Sequence, residues 1–300
     1  MNPKCHICGT PSDFLMRKDG FDEYICGKCG LSFVYPQPDK EWLRDNVYSY
    51  ESGYQANKNA DLSETPIDKV SRKILAFLGR EKPKGRILDV GCSSGQFLYW
   101  ARERGFETAG VEINKRTADI ARSNGLDVYN GFLEDATFAK KSFDILFIGD
   151  VIEHVNDPRS FLKKAQEFLK DDGIIVISTP NTDCFWCRET LFLYRWFGIP
   201  WAPATPPHHL WQFGFGNQNM LMRELGMEHV YAFFSPPPSL RYELGSLHLY
   251  KDWKAKKSIG SLLFMLFSFS VYAVAFALNL VLSPVLSRDF RMIVFYANNR

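Results

Sequence analysis

The sequence carries almost no excess of charge of either sign. Its 300 residues include 36 lysines and arginines and 34 aspartates and glutamates, which gives a net charge of +2 at pH 7. So small a net charge gives no general reason to expect a nucleic acid or a strongly acidic partner. Outside residues 251–257, no stretch combines a basic face with interleaved aromatic residues, so we expect no nucleic acid to bind.

An apolar segment at the N-terminus is also lacking. Met1 is followed by Asn2, Pro3 and Lys4, whereas a secretory signal needs an apolar core of about 7–15 residues. We therefore expect a cytoplasmic protein whose thiols stay reduced. In that compartment, clustered cysteines indicate a metal site and not disulfide bonds.

Two close cysteine pairs occur near the N-terminus: Cys5 and Cys8, then Cys26 and Cys29. Their spacing is typical of a four-cysteine Zn(2+) site, with an iron centre of rubredoxin type as the alternative. We predict two short strands, at 14–17 and 22–25, inside a zinc ribbon that spans residues 1–35. The ribbon is either a structural cap or a docking module, and the sequence leaves both open.

Residues 86–112 predict a nucleoside site. A buried strand ends in the turn Gly91-Cys92-Ser93-Ser94-Gly95, a helix follows, and a second strand ends on Glu112. An acid at the tip of the second strand is placed to bind a ribose diol. The turn has only two glycines, and Asp89 precedes it. This carboxylate disfavours a pyrophosphate and favours a ligand with a positively charged amino acid end.

Strand and helix patterns alternate from Arg86 onward, which predicts an α/β fold with a doubly wound, Rossmann-like sheet. The predicted strands are 86–91, 107–113, 127–131, 143–149, 173–179 and 228–235. The predicted helices are 67–80, 95–104, 115–124, 158–169 and 215–225. Asp157 and Pro158 are the expected N-cap and first residue of the helix at 158–169.

These motifs resemble those of class I S-adenosylmethionine (SAM) dependent methyltransferases. The turn at Gly91 resembles motif I, and four further segments follow in the order typical of the family: Ser142–Leu146, Asp150–Pro158, Leu169–Gly173 and Ile177–Asn181. The resemblance covers about residues 70–235 and is strongest to the branch with the ubiquinone-biosynthesis O-methyltransferases, methyltransferase type 23. It implies that the last strand, 291–297, inserts antiparallel into the sheet.

The resemblance also implies a SAM site. Its cofactor-binding residues would be Asp89, Gly91, Cys92, Gly95, Glu112, Ile113, Phe132, Leu133 and Asp150. Many relatives have an acid at the position of Phe132, and this acid accepts a hydrogen bond from the adenine amino group. Phe132 and Leu133 would offer only stacking and a backbone N–H, so Glu134 or Asp135 is the alternative partner for that group. In relatives, a segment such as 36–66, which here contains Tyr48, Tyr50 and Tyr54, covers the cofactor. The alternative is that these residues form an interdomain linker.

Catalytic candidates follow the fourth and fifth strands of the predicted sheet. Glu153 and His154 belong to the Glu-His-Val segment, and His209 belongs to a His-His-Leu-Trp segment that also resembles relatives. A histidine can remove the proton of an oxygen or nitrogen acceptor. The alternatives are histidines that only support loops, or a metal site formed by both histidines with Glu153.

Residues 259–286 contain no charged side chain, and Trp253 and lysines precede them. The run is long enough to cross a membrane. A crossing would separate strand 291–297 from its sheet, so we expect an insertion into one leaflet, broken near Asn279 or Pro284. The alternative is a helical lid. The methyltransferase domain is accordingly predicted at 67–300, with an apolar helical insertion at about 258–287.

The sequence thus favours a SAM-dependent methyltransferase at the inner face of a membrane, acting on the oxygen of a lipid-linked or glycolipid acceptor. The aromatic approach loops around 185–201 fit such an acceptor. Two alternatives stay open: methylation of a soluble sugar or small molecule, and a non-catalytic zinc-ribbon scaffold.

Overall fold

The computed structural model describes residues 2–48, 61–235, 240, 244–245, 247–282 and 290–299. The chain divides into two compact units. The first unit comprises Met1–Pro36, Pro180–Gln218 and Phe234–Met292, and the second comprises Gln37–Thr179, Asn219–Phe233 and Ile293–Arg300. Each unit is therefore assembled from stretches far apart in sequence. The predicted division into contiguous segments 1–35, 36–66 and 67–300 stays a prediction.

The described strands and helices follow the predicted order closely. The strands are β1 Asp13–Lys18, β2 Phe21–Ile25, β3 Ser32–Val34, β4 Arg86–Val90, β5 Glu107–Glu112, β6 Val128–Asn130, β7 Phe143–Gly149, β8 Leu169–Pro180, β9 Trp211–Gln212, β10 Met227–Ser235 and β11 Arg291–Asn298. The helices are α1 Lys40–Asn46, α2 Lys69–Glu81, α3 Gln96–Arg102, α4 Lys115–Ser123, α5 Pro158–Phe168, α6 Phe185–Phe197, α7 Phe215–Glu224, α8 Leu249–Lys256 and α9 Ile259–Leu282.

A seven-stranded sheet with the order β10-β11-β8-β7-β4-β5-β6 forms the centre of the second unit. Its strands β4 to β8 pair in parallel. Isoleucine, leucine and valine fill both faces, and the run Ile174–Ile177 is buried almost throughout. Such continuous apolar runs are typical of parallel strands that helices cover on both sides. The predicted α/β, doubly wound Rossmann-like fold is confirmed.

The last strand runs against its neighbour β8, as predicted. At one end, the backbone N–H of Asn181 donates to the carbonyl oxygen of Phe290. At the other end, the side-chain amide of Asn298 donates to the carbonyl oxygen of Asp171. Because the chain numbers rise along β8 while they fall along β11, the two strands are antiparallel.

Side-chain caps set the starts of the helices around this sheet. Asp68 accepts hydrogen bonds from two backbone N–H groups at the start of α2, and Asn114 does the same for α4. Asp157 caps α5, and Pro158 is its first residue, as predicted. A cap satisfies N–H groups that have no partner inside the helix. These residues therefore fix where each helix begins.

The first unit contains a four-stranded sheet with the order β1-β2-β3-β9. The strands β1 and β2 match the predicted ribbon strands. The strand β9 was not predicted: Trp211 and Gln212 pair with Phe33 and Ser32, so a segment far along the chain completes the ribbon sheet. Two residues are too short a run for a periodic sequence signal.

The ribbon also shares a hydrophobic core with the helices of the first unit. Leu15 and Met16 of β1 belong to the same cluster as Trp186 of α6 and Tyr272 of α9. A four-cysteine module of this size buries little apolar surface alone, so this shared core supplies packing that the ribbon lacks.

The segment that was expected to form aromatic loops is a helix, α6. Cys184 caps it by accepting from the N–H of Cys187, and Gly198 ends it in the left-handed conformation. The prediction of a loop was wrong because the capping residue is a cysteine, which is not one of the usual N-cap residues and so gives no clear helix start signal. The cysteine pair Cys184 and Cys187 serves as a helix start.

Among the described residues, α9 is long and apolar enough to cross a membrane, over Ile259–Leu278, with a mean hydropathy of 2.1. About 22% of this window is buried. The helix is continuous through Asn279, so the predicted break there is wrong. Pro284, the alternative position for the break, lies outside the described residues.

Candidate functional site

A cavity of about 510 Å³ opens in the second unit where β4, β5 and β7 end. Its lining includes Gly91 after β4, Glu112 and Ile113 after β5, and Asp150 after β7. Crevices outside the carboxyl ends of parallel strands are the usual ligand sites of open α/β sheets. The volume lies within the range of small-molecule sites, about 300–1,000 Å³.

The two glycines of the β4–α3 turn are needed for different reasons. Gly91 has a φ of 80° and lines the cavity, and a Cβ there would lie 2.4 Å from Val151. Gly95 has a φ of 84°, and a Cβ there would lie 2.3 Å from Leu126. Both conformations favour glycine. Gly95 does not line the cavity. Its lack of a side chain instead leaves room for Leu126 to pack against the turn.

Glu112 is held in place by the backbone. Its Oε2 atom accepts from the N–H of Ser93 at 2.8 Å, and its Oε1 atom accepts from the N–H of Asn114 at 2.6 Å. Burial raises the pKa of Glu112, and these N–H groups offset part of that effect. Each carboxylate oxygen can accept a further hydrogen bond. The side chain is therefore oriented at the cavity wall and still able to bind hydroxyl groups.

Asp89 and Cys92, two of the predicted cofactor-binding residues, are buried and are not part of the cavity lining. Burial, together with the nearby carboxylate of Glu112, raises the pKa of Asp89. The pKa of the Cys92 thiol is likewise raised, mainly by burial. The sulfur of Cys92 lies only 2.6 Å from where Gly110 would carry a Cβ, so this side chain fills a space next to β5.

One end of the cavity is aromatic and acidic. Phe132, Leu133 and Glu134 line it, and the ammonium group of Lys40 lies 4.8 Å from the centre of the Phe132 ring. Asp135, the second acid considered for an adenine contact, is not part of this lining. Of the two acids, Glu134 is thus the one exposed to the cavity.

Asp150 occupies the tip of β7 in a left-handed conformation, with a φ of 54°. Its backbone N–H donates to the carbonyl oxygen of Ser178 at 2.7 Å, and the Ser178 hydroxyl donates to its carboxylate at 3.3 Å. Such a conformation is uncommon for residues other than glycine and is often found at functional sites. The two contacts fix the carboxylate at the cavity wall.

A segment before α2 forms part of the cavity wall. Lys40 and Leu43 of α1 line the cavity together with Tyr48. The carbonyl oxygen of Tyr48 accepts from the side-chain amide of Asn114 at 2.9 Å. Tyr50 and Tyr54, the other tyrosines expected to cover the cofactor, lie outside the described residues. Lys40 and Leu43 were missed by sequence reasoning, although the cap Asp39 marks the start of their helix.

His154 lines the cavity next to Tyr48. Its Nδ1 atom lies 3.3 Å from the Tyr48 hydroxyl oxygen, and its Nε2 atom lies 4.0 Å from a carboxylate oxygen of Glu153. Glu153 is 1% exposed and is not part of the lining. His209 belongs to the first unit, where its N–H donates to the carbonyl oxygen of Thr205.

Glu153 is a deeply buried acid. Burial raises its pKa to about 7, although the nearby Thr179 hydroxyl acts in the opposite direction. Within the part of the chain that the structure describes, neither carboxylate oxygen has a hydrogen-bond partner. Burying a carboxylate favours its neutral form. Near neutral pH, Glu153 therefore exists in both protonation states.

The four cysteines of the ribbon converge in the first unit. The sulfur atoms of Cys5 and Cys29 lie 3.5 Å apart, those of Cys8 and Cys26 lie 3.4 Å apart, and all four lie within 4.8 Å of one another. Zinc–sulfur bonds of about 2.3 Å place tetrahedral sulfurs roughly 3.8 Å apart. A disulfide would need about 2 Å. The donor set therefore fits a tetrahedral metal ion.

The two cysteine loops have matching backbones. The N–H of Gly9 donates to the carbonyl oxygen of Cys5, and the N–H of Gly30 donates to that of Cys26, both at 2.9 Å. Gly9 and Gly30 have φ values of 69° and 75°. This conformation explains why glycine follows each second cysteine.

The raised pKa of Glu153 predicts a pH-dependent loss of stability. The folded state binds a proton more tightly than the unfolded state, whose glutamate has a pKa near 4.5. Stability is therefore lost as the pH rises from about 5 to about 8. Glu153→Gln should reduce this loss by on the order of 3 kcal/mol, as measured by urea unfolding at both pH values.

Glu103→Gln, at an exposed glutamate, is the matched control and should leave the pH dependence unchanged. An equal pH dependence in Glu153→Gln and in the parent chain would show that Glu153 is charged in the folded state.

The family described as "Methyltransferase domain" matches residues 62–233. An uncharacterised protein of Methanocaldococcus jannaschii is 34% identical over 151 residues, which is 50% of this chain and 62% of that protein. A ubiquinone biosynthesis O-methyltransferase of Cereibacter sphaeroides is 32% identical over 102 residues, which is 32% of this chain and 41% of that enzyme. The chain thus spans less than two thirds of either relative.

Among solved structures, the YcgJ protein of Bacillus subtilis aligns with a TM-score of 0.52 at 14% identity, over 78% of this chain and 99% of that one. This similarity shows a shared fold. The family match covers more than half of the chain and confirms the resemblance found in its motifs. The chain therefore belongs to the SAM-dependent methyltransferase family.

Proposed function

We propose that this chain transfers a methyl group from SAM to an oxygen of an acceptor, and that the cavity at the ends of β4, β5 and β7 binds SAM. The observation that carries the proposal is the orientation of Glu112, whose two oxygens are held by the N–H groups of Ser93 and Asn114. A carboxylate fixed at this position can accept hydrogen bonds from both hydroxyls of a ribose.

The other lining residues suit the remaining parts of SAM. Gly91 leaves backbone exposed next to the methionine part, and Asp150 offers a negative charge to a positively charged ligand. Phe132 can stack on adenine, and Glu134 can accept from its amino group. Asp89 and Cys92 act through the shape of the turn, because both are buried behind it. SAM supplies the activated methyl group; the chain aligns the acceptor.

His154 is the proposed base. It lines the cavity, and a hydrogen bond from its Nδ1–H to the Tyr48 hydroxyl would leave Nε2 able to accept a proton from an acceptor hydroxyl. The carboxylate of Glu153, 4.0 Å from Nε2, would stabilise the imidazolium that forms. His209 is a second candidate, from the first unit.

A Zn(2+) ion is proposed for Cys5, Cys8, Cys26 and Cys29. The sulfur separations fit a tetrahedral ion, and four thiolates leave no coordination position for substrate. The metal would therefore stabilise the ribbon. The ribbon shares its core with α6 and α9. This favours the structural role for the ribbon and disfavours a separate docking module.

A lipid-linked or glycolipid acceptor, at the cytoplasmic face of a membrane, is the proposed substrate class. Three features support it: the charge-free helix α9, the exposed aromatic residues of α6, and the lysines of α8. Lysine and arginine are enriched on the cytoplasmic side of membranes. The alternative, a soluble sugar or small-molecule acceptor, needs none of these features.

Calorimetric titration with SAM tests the cofactor site. The parent chain should bind SAM with a micromolar Kd. Glu112→Ala should weaken binding by about 2–4 kcal/mol, because two charge-assisted hydrogen bonds are lost. Glu107→Ala, at the opposite and exposed end of the same strand, is the matched control and should bind as the parent does. Thermal unfolding of each variant establishes that it is folded.

A folded parent chain that does not bind SAM would contradict the proposal and favour the non-catalytic scaffold. Equal losses in Glu112→Ala and Glu107→Ala would instead show that the loss does not come from the ribose contact.

Transfer of a radioactive methyl group from SAM tests the acceptor and the base. We expect turnover of a prenylated catechol in detergent micelles and less of the unprenylated catechol or of a sugar nucleotide. His154→Gln should lower the rate by about 10²–10⁴-fold and leave SAM affinity unchanged. His229→Gln, at an exposed histidine of β10, is the control. Faster turnover of the sugar nucleotide would favour the soluble acceptor.

Metal analysis of the purified chain tests the cysteine site. We expect about one zinc ion per chain. Cys26→Ser should lose the metal and unfold more readily, because a structural zinc ion contributes on the order of 10 kcal/mol to folding in isolated zinc-finger peptides. Cys187→Ser, which changes a buried cysteine outside the cluster, should keep the metal. Stoichiometric iron would contradict zinc and identify the rubredoxin-type alternative.

A further inference from the structure

The helix α9 exposes apolar side chains where a surface helix normally exposes polar ones. Ile259–Leu282 contains no charged residue. Its outward residues include Leu263, Phe267, Val274 and Leu278, which are between 46% and 60% exposed. A helix at a protein–water boundary should carry charged or polar residues on that face. The exposed face of α9 therefore matches a boundary with an apolar medium.

The opposite face of α9 is fixed in the core of the first unit. Met265, Tyr272 and Ala275 are almost fully buried, and Tyr272 packs edge-on against Trp186 of α6 at 5.6 Å. At about 100° per residue, Met265 and Tyr272 lie opposite Leu263 and Phe267. One side of the helix packs on protein, so only the other side is left for lipid.

The helix α6 extends the exposed apolar surface. Trp196 is 72% exposed, and its ring packs on that of Phe192 at 5.7 Å. Phe197 contacts Phe267 of α9, with ring centres 6.2 Å apart. We call the surface formed by these two helices the apolar platform; it consists of Phe192, Trp196, Phe197, Leu263, Leu266 and Phe267. Contiguous exposed patches of this kind mark interaction sites.

A group of cations lies directly before α9 in the chain. Lys251, Lys254, Lys256 and Lys257 are all exposed, and the only acid among them is Asp252. Trp253, half-buried, lies between the lysines. Arg195 of α6 is exposed next to Trp196. Lysines and tryptophans beside an apolar surface are typical of the interface between lipid headgroups and acyl chains.

These observations favour one occupant over two others. A second copy of the chain would cover the apolar platform, but α9 carries no acid that could pair with the lysines. A membrane-crossing α9 would have to withdraw Tyr272 and Met265 from the core. An anionic lipid leaflet suits both the exposed apolar platform and the lysines. Its acyl chains would cover the platform, and its headgroups would pair with the lysines.

We propose that the apolar platform docks the chain onto an anionic lipid leaflet, with α9 lying along the surface and Trp196 of α6 inserted beside it. The inference deepens the proposed function, on which its link to a lipid-linked acceptor rests. The docking itself involves only residues of the first unit.

Co-sedimentation of the full chain with vesicles tests the proposal. Vesicles of phosphatidylcholine with about one third phosphatidylglycerol should bind the chain, and pure phosphatidylcholine vesicles should bind it at least tenfold less, because the lysines add attraction. Phe192→Ser combined with Trp196→Ser should lower the partition coefficient by at least tenfold. Phe14→Ser, at a ring of the same unit with 55% exposure, is the matched control and should bind normally.

A second measurement separates lying along the leaflet from crossing it. Lipids brominated near the headgroup should quench the tryptophan fluorescence of the bound chain more than lipids brominated at the chain end. The quenching should fall sharply in Trp196→Ser. Stronger quenching from the chain end would overturn the lying orientation in favour of insertion across the bilayer.

Calorimetry with SAM on the same preparation keeps the two proposals distinguishable. A folded chain that binds SAM but not anionic vesicles overturns the docking and leaves the cofactor proposal intact. A chain that binds vesicles but not SAM does the reverse. A concentration-dependent dimer, abolished by Trp196→Ser and without vesicle binding, would identify a second copy as the occupant and overturn the leaflet.

Discussion

The carboxylate of Glu112 is the point on which the second unit's site depends. Ser93 in the turn after β4 and Asn114 at the start of α4 both donate their N–H groups to it. Asn114 in turn caps α4 and donates its side-chain amide to the carbonyl oxygen of Tyr48, so the same residue connects the acid, a helix and the segment before α2. A buried acid without such donors would be costly. The turn, the helix and the wall of the cavity are thus arranged around one side chain.

The first unit follows a different physical rule, because its helices α6 and α9 expose large apolar side chains. The ribbon is too small to supply its own core, and it shares one with α6 and α9. These helices bury one face in that core and expose aromatic and aliphatic side chains on the other. Association with lipid would remove this surface from water, so in the proposed docking the helices that complete the ribbon's packing would also attach the chain to the leaflet.

Sequence reasoning succeeded where a local pattern is sufficient. Periodic apolar runs gave the strands from β4 to β8, and Asp157 with Pro158 gave the start of α5. It failed where contacts between residues far apart in the sequence determine the local structure. The pairing of Trp211 with Phe33 has no local signal, and the N-cap of α6 is a cysteine, which is not a usual start signal for a helix. The spacing predicts Glu112, Gly91 and Gly95 alike as cofactor-binding residues, and only the structure distinguishes Gly91, which lines the cavity, from Gly95, which packs against Leu126.

The buried acids near the cavity connect stability with ligand binding. Burial raises the pKa values of Asp89, Glu112 and Glu153, so each carboxylate is destabilised in its charged form. Uncharged side chains at these positions, such as amides or alcohols, would avoid the cost of burying a charge. They would also remove the negative electrostatic potential of the carboxylates. A ligand that carries a positive charge favours the charged forms. The proposed cofactor has such a charge on its sulfonium. Its binding would therefore offset the cost of burying the charged carboxylates. Because a ligand that binds the folded state stabilises that state, tighter binding would make the fold more stable.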